Sequence, residues 1–409
     1  MEGVKLKKKL FSRKAAAWIV ALTFAAMAFA LVACAGSGTD QAADDATEAT
    51  TEEAATPEEA ASTDEAAQAE SADAAAPATT EAAPAAAAEP EVVSGTVTTT
   101  IDMSGYDQGK PVRVWVPVAS DVEYQVITDA AVDGGDAAAR AEITTDALGN
   151  KMAYIEWDAD ADPASRVATV SFHAERTEAL VRDMVEDESA GIPDDIAEKY
   201  LASDQWVAAD DPEVKALSDE ICAGKETTLD KAKAIYDWIY DNMNRNNDVF
   251  RCGDGDVCRL IQEDEREGKC TDINSTFVAL CRAQGIPANE VFGIRMNDAD
   301  ITGNQHCWAE FYLPGTGWVP VDPADVLKAV LNDELAKDSE EALAKKDYYW
   351  GAWDAKRVQY SEGRDLTLEP AQDAGPLNNF GYPYAEVDGE PIDQCAPDEF
   401  VFSVAFEEN

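Results

Sequence analysis

The stretch from Gly268 to Asp325 constrains this chain most. It reads GKCTDINSTFVALCRAQGIPANEVFGIRMNDADITGNQHCWAEFYLPGTGWVPVDPAD. Within it the apolar pattern changes from helical to alternating. Ile273, Phe277, Leu280, Cys281 and Gln284 fall at i, i+4, i+7, i+8 and i+11, and Gly285-Ile286-Pro287 supplies a helix stop. Then QHCWAEFYL alternates like a strand, Pro314-Gly315-Thr316-Gly317 turns, and Trp318 to Asp322 runs back. A helix followed by a hairpin is therefore expected.

Chemistry sits at the ends of these elements. Cys270 falls in the first turn of the predicted helix, where free N–H groups and the helix dipole favour an anion and lower a thiol pKa. Gly268 is expected to free the backbone for a tight turn before it. Cys281, mid-helix on the apolar stripe, reads as a packing residue. His306 is one of only two histidines; the other, His173, lies in a strand with no chemical partner nearby. His306, Trp308, Glu310 and Tyr312 point one way, and Gln305, Cys307, Ala309 and Phe311 the other. A hairpin closing through the four turn residues would oppose Ala309 and Asp322, so a one-residue bulge is predicted to bring Asp322 to the face of His306. Thiol, imidazole and carboxylate are the groups that covalent acyl transfer requires.

These motifs resemble the transglutaminase-like superfamily, a branch of the papain-like cysteine acyltransferases and proteases. The resemblance rests on Gly268 and Cys270, His306 and Trp308, Gly317 and Trp318, and Val321-Asp322-Pro323. It implies an α+β fold with a papain-like core, and catalytic roles for Cys270, His306 and Asp322. It implies no metal or cofactor. Acyl transfer from peptide or glutamine carboxamides would then give either hydrolysis or cross-linking. The alternative is a non-catalytic surface module that binds peptides or cell-wall polymer.

The start of the chain reads as a targeting segment. Six basic residues lie between Lys5 and Lys14, an apolar run follows to Leu31, and Leu31-Val32-Ala33-Cys34 closes it. Residues 1–34 are thus expected to be a lipoprotein signal with Cys34 as the lipidated mature N-terminus. The other reading, a membrane-spanning anchor, fits the length of the apolar run but not its small-residue end. Lipidation would hold the protein on the outer face of a bacterial cell membrane. Residues 35–92 contain no aromatic residue, and no lysine or arginine occurs from Ala15 to Gly109. Such a segment cannot bury a core and is expected to be a disordered spacer.

Residues 93–185 show short alternating strands with turn signals at Gly134-Gly135 and Gly149-Asn150. A small β-sandwich ahead of the core is expected there. Helices resume after Pro193. The core is expected over 190–340, and an aromatic-rich extension packed on it over 341–409. Phe400–Phe406 reads as a strand completing a sheet. Arg364-Asp365 and Gly381-Tyr382-Pro383-Tyr384 resemble one bacterial subgroup of the superfamily.

Beyond residue 92 the chain carries 26 basic and 65 acidic residues. That excludes nucleic acid as a natural partner. It is compatible with basic substrates, or with no charge selectivity. The acidic surroundings are expected to oppose ionisation of Cys270, less so as salt screens them. Apart from Cys34 and Cys270, six cysteines remain, and sequence does not pair them; a Cys252–Cys258 bridge closes the smallest loop. Zinc on Cys252, Cys258 and His306 is a further option, with poor spacing. Partners expected are a protein or peptide substrate, with cell-wall peptide among the options, and a membrane through Cys34.

Overall fold

The computed structural model describes residues 89–409. The signal, Cys34 and nearly all of the spacer lie outside the described residues. The first part is β-rich: β1 (Val92–Asp102), β2 (Val112–Val118), β3 (Gln125–Asp133), β4 (Arg140–Thr145), β5 (Lys151–Trp157), β6 (Val167–Thr177) and the short β7 (Ala179–Leu180). Helices follow, interrupted by short strands: α1 (Asp194–Tyr200), α2 (Pro212–Ile221), α3 (Thr228–Asn242), β8 (Asn244–Arg245), α4 (Val257–Gln262), β9 (Glu267–Gly268) and α5 (Cys270–Ala283). Then come β10 (Ala288–Arg295), β11 (Gln305–Leu313), β12 (Gly317–Val321), α6 (Pro323–Asn332) and α7 (Glu340–Tyr348). The chain ends with β13 (Ala352–Trp353), β14 (Arg357–Glu362), β15 (Tyr384–Val387), β16 (Glu390–Pro391) and β17 (Val401–Glu408). No helix among the described residues is long and apolar enough to cross a membrane.

The α+β architecture is the one expected, a papain-like core preceded by a β-sandwich. The sandwich has one sheet in the order β17-β1-β6-β3 and another in the order β16-β15-β2-β5-β4. Alternate residues of β1 from Val93 to Ile101 are buried, the period-two pattern of a strand with one face on a core. The segment 93–185 does not build this sandwich alone, however. β17 pairs with β1 and β15 pairs with β2, so the tail from 341 does not simply pack on the core. Its strand β14 joins the core sheet beside β10, and its last three strands complete the sandwich. The reason is edge satisfaction. Without β15 and β17, both sheets would present unpaired N–H and C=O groups on β1 and β2.

The core sheet runs β12-β11-β10-β14. One apolar cluster joins α2, α3, α5 and α6 to Cys307, Ala309 and Phe311 of β11. The sandwich core continues into Ile294 and Val358 from the same sheet. Along β11, Cys307, Ala309 and Phe311 are buried on one face, and His306 and Trp308 on the other. Helix α5 is enclosed as well, with Cys270 through Cys281 all buried. A helix surrounded on all sides belongs at the centre of a fold. Two of its polar side chains tie it to the sheet: Asn274 Nδ2 donates to the Cys307 carbonyl (2.9 Å), and Ser275 Oγ donates to Glu290 (2.9 Å).

Candidate active site

The structure brings the three expected residues together at the start of α5. Cys270 opens the helix. Gly268 precedes it for a reason other than a turn: a Cβ there would lie 2.5 Å from Cβ of Asp272. Asp272 needs that space, because its carboxylate accepts the N–H groups of Lys269 and Gly255, each at 3.0 Å. Burial pushes the Asp272 carboxyl up to about 6. The Thr271 N–H is taken by the Cys252 carbonyl at 3.0 Å, which sets the 246–268 loop against the helix start.

His306 is the second residue of β11, level with that helix start. Its Nε2 lies 2.8 Å from Asp322 Oδ2, leaving Nδ1 as the nitrogen free for the thiol. The hairpin places Asp322 without a bulge. Leu313 pairs with Gly317 and Ala309 with Val321, so the loop has three residues rather than four. Continued one residue, that register sets Asp322 opposite Trp308, on the face of His306. The expected bulge is absent, because Gly317 pairs with Leu313 instead of lying in the loop. An irregularity falls instead between β10 and β14 at Phe292/Gly293, where a Cβ on Gly293 would come within 2.6 Å of the Trp308 ring.

The Val321-Asp322-Pro323 motif has a local cause too. Asp322 caps α6, its Oδ1 accepting the Asp325 N–H at 3.1 Å, and Pro323 occupies the first helical position. Full burial is the largest influence on the Asp322 carboxyl and pushes it up. His306, Arg357 and Arg295 together outweigh that and hold it below its ordinary value.

Three residues here were not expected from the sequence to support the thiol or the carboxylate. Arg357, on β14, is fully buried and donates from Nη1 to the same Asp322 oxygen at 2.8 Å. It also bonds Asp325 and Asp354 and lies 5.1 Å over the Trp308 ring. Cys252 and Cys307 are the others. Hydrogen bonding from the Cys252 thiol is the largest cause that holds Cys270 well below the ordinary thiol range; Cys307 adds to it, burial opposes it, and His306 adds again. Both flanking thiols are driven the other way. Cys252 is raised well above its ordinary value, first by its bond to Cys270, and Cys307 first by burial. The site thus sets one lowered thiol beside two raised ones. Tyr382 Oη sits 2.8 Å from Cys252 Sγ, which ties the Gly381-Tyr382 motif to the centre.

All seven cysteines among the described residues are free, so Cys252 and Cys258 do not bridge. Nor do they share a zinc site with His306. Cys252 faces Gln305 and Tyr382, while Cys258 is raised to about 11 by burial and by Asp211. His306, Asp322 and Asp325 do bring ligand-type atoms within 4.8 Å of one another. Arg357 already bonds both carboxylates there, so the cluster is a compensated hydrogen-bond network. His173 meets only Ser94 at 3.3 Å, on the sandwich. Arg364 clamps α5 and β10 to the tail through Ser275 (2.5 Å) and Glu290 (2.6 Å), and Asp365 accepts from Trp206 Nε1 at 3.0 Å. The Arg364-Asp365 pair is therefore a brace between the tail and the helical layer.

A pocket of about 160 Å³ holds Cys270 and His306. Through Arg251, Cys252 and Tyr382 it adjoins a groove of about 740 Å³.

Residues 215–323 match the Transglutaminase-like superfamily. An uncharacterised protein of Haemophilus influenzae is 37% identical over 317 residues, covering 71% of this chain and 84% of that protein. A protein-glutamine gamma-glutamyltransferase of Pseudomonas aeruginosa is 32% identical over 90 residues, 19% of this chain and 14% of that protein. A solved structure from Cytophaga hutchinsonii, described as a candidate cysteine protease, aligns with a TM-score of 0.45 at 17% identity over 78% of this chain and 98% of that one. On the sequence matches, the chain belongs to the transglutaminase-like superfamily.

Proposed function

We propose that this protein is a cysteine acyl-transfer enzyme acting on peptide or glutamine carboxamide carbonyls. The observation that carries the reading is the convergence on Cys270, whose depressed thiol stands beside an imidazole held by Asp322. The Cys270 thiolate attacks the carbonyl carbon and a C–S bond forms. The carbonyl electrons move to oxygen. The Cys270 N–H, which has no backbone acceptor among the described residues, would stabilise that charge. As the tetrahedral species collapses, the C–N bond breaks and His306 gives its proton to the leaving amine. A thioester remains. Water or an amine then loses a proton to His306, attacks the thioester, and expels the thiolate. Asp322, in turn fixed by Arg357, holds the imidazole tautomer throughout. The adjoining groove has room for several residues of an extended peptide. The likeness to a protein-glutamine gamma-glutamyltransferase supports the acyl-donor class.

The test is mass spectrometry of glutamine peptides and cell-wall peptides incubated with and without a primary amine. Loss of ammonia with gain of water or amine, abolished in Cys270→Ala, supports the proposal; no conversion of any substrate overturns it. We also propose a lipid anchor at Cys34 on the outer face of the cell membrane. Cys34→Ser should release the protein or leave it unprocessed, and a normally anchored mature form would contradict the anchor.

A further inference from the structure

The wall of the reactive pocket carries the wrong charge for this chain. Arg245, Arg251, Lys269, Arg295 and Lys328 line it, and no aspartate or glutamate does. Beyond residue 92 the protein has only 26 basic residues against 65 acidic ones, so five cations around one small cavity are not what composition alone supplies. Two of the five are neutralised within the protein. Arg295 pairs with Asp325 and Asp354, and Arg251 with Asp393. The other three have no carboxylate within salt-bridge reach among the described residues. Arg245 makes only a bond from Nε to Asn247, at 2.9 Å.

All three of these cations are partly buried, so their mutual repulsion is incompletely screened. The Lys328 ammonium is held below its ordinary value by burial, then by Arg295 and Arg245. Even ionised, Cys270 would supply one negative charge against three cations. Two further donors of the same wall, Arg251 Nε and Arg295 Nε, are buried without a partner. The pocket is thus short of negative charge and of hydrogen-bond acceptors.

We infer that the acyl-transfer site takes anionic peptides, with a substrate carboxylate seated among Arg245, Lys269 and Lys328 beside the reacting carbonyl. This rests on the thiol-enzyme reading above, because Cys270 chemistry requires the anion to arrive on the molecule that carries the carboxamide. A planar carboxylate suits a guanidinium and two ammonium groups. A cleft lined by one sign of charge concentrates counter-charged reactants by ten- to thousandfold, an effect that salt removes. The overall negative charge of the chain repels anions at a distance, so selection is made by this pocket at short range.

The direct probe is a pair of alkylating agents of nearly equal size, iodoacetate and iodoacetamide. In each, the thiolate displaces iodide from the CH₂ carbon, and only the first is an anion. Rates at Cys270 are followed by peptide mass spectrometry on the full chain, with glutathione as the free-thiol reference. The expected ratio of iodoacetate to iodoacetamide rates is about tenfold or more above that of glutathione at low salt. It should decline towards the reference as salt is added, a measurement that needs no variant. It should also decline in Lys328→Gln and in Arg245→Gln.

A ratio equal to that of glutathione at all salt concentrations, with Cys270 still selectively reactive, would overturn the anionic-substrate inference and leave the enzyme reading standing. If Cys270 reacts with neither reagent, the enzyme reading fails and takes this inference with it. Peptide arms then locate the carboxylate. Glutamine peptides with an acidic neighbour, with a free C-terminal carboxylate, and with both removed are compared by kcat/KM. Preference for either anionic series, lost in Lys328→Gln, supports the inference; preference for the neutral or a basic series contradicts it.

Discussion

Arg357 Nη1 and His306 Nε2 both reach the same oxygen of Asp322, each at 2.8 Å. The carboxylate that orients the imidazole is therefore itself held by a fully buried guanidinium from the C-terminal tail. Replacing Arg357 leaves Asp322 without its guanidinium partner, and Asp325 and Asp354 with Arg295 alone. Arg357→Met should lower stability by about 3–5 kcal/mol, the cost of breaking a buried pair from one side. Denaturant unfolding monitored by tryptophan fluorescence measures it, and unchanged stability would show that the carboxylates are compensated elsewhere.

Asp322→Asn should retain the fold less well than the wild type, because Arg357 loses one anion and α6 keeps its cap only through the amide oxygen. Turnover should fall on the order of 10²–10⁴-fold, the range for disturbing a positioned acid–base group. The amide presents the wrong partner to the imidazole N–H and favours the wrong tautomer. Wild-type turnover would point to Asp325, which lies 3.4 Å from His306 Nε2.

The neighbouring Cys252 thiol is the largest influence that lowers Cys270. In Cys252→Ala the pH at which Cys270 becomes reactive should rise. Neither Cys252 nor Cys307 should label at neutral pH in the wild type, since both are held protonated. Labelling of the three cysteines at equal rates would contradict this division of roles.

Glu310 supplies a stability test away from the reactive thiol. Burial, the largest cause, raises its carboxyl from 4.5 to about 7, although Asn289 donates to it at 3.0 Å. A carboxyl raised on folding contributes stability that is fully present below about 4.5 and is lost as pH rises through about 7. Glu310→Gln should therefore flatten the decline of the melting temperature between pH 5 and 8, as thermal denaturation across that range will show. A decline as steep as in the wild type would mean that another group causes it.

The thiol, imidazole and carboxylate were legible in the sequence because each sits where a local pattern changes: a helix start, a strand start, a strand end. The α5 helix and the β11–β12 hairpin were legible for the same reason. The hairpin register was not, because it turned on whether Gly317 belongs to the loop or pairs with Leu313. Arg357 was invisible since its role depends on β14 pairing with β10 across more than sixty residues, and nothing local marks it. Cys252 and Cys307 lacked a signal of their own. One lies in a loop without periodicity, and the other on a strand face that reads simply as buried. The cationic wall is assembled from four separate segments, so total composition pointed the other way.

That wall also reverses an expectation. Surrounding acidity would make added salt ease ionisation of Cys270. With Arg245, Lys269 and Lys328 beside the thiol, salt should instead screen a favourable field. The inflection in reactivity should move up with salt.

The most direct measurement is the rate of Cys270 carboxamidomethylation against pH in the wild type and in His306→Ala. The wild type should show an inflection well below the free-thiol value of about 8.5, and the variant a higher one. A wild-type inflection at or above about 8.5 would mean that Cys270 is an ordinary buried thiol and would contradict the proposed nucleophile.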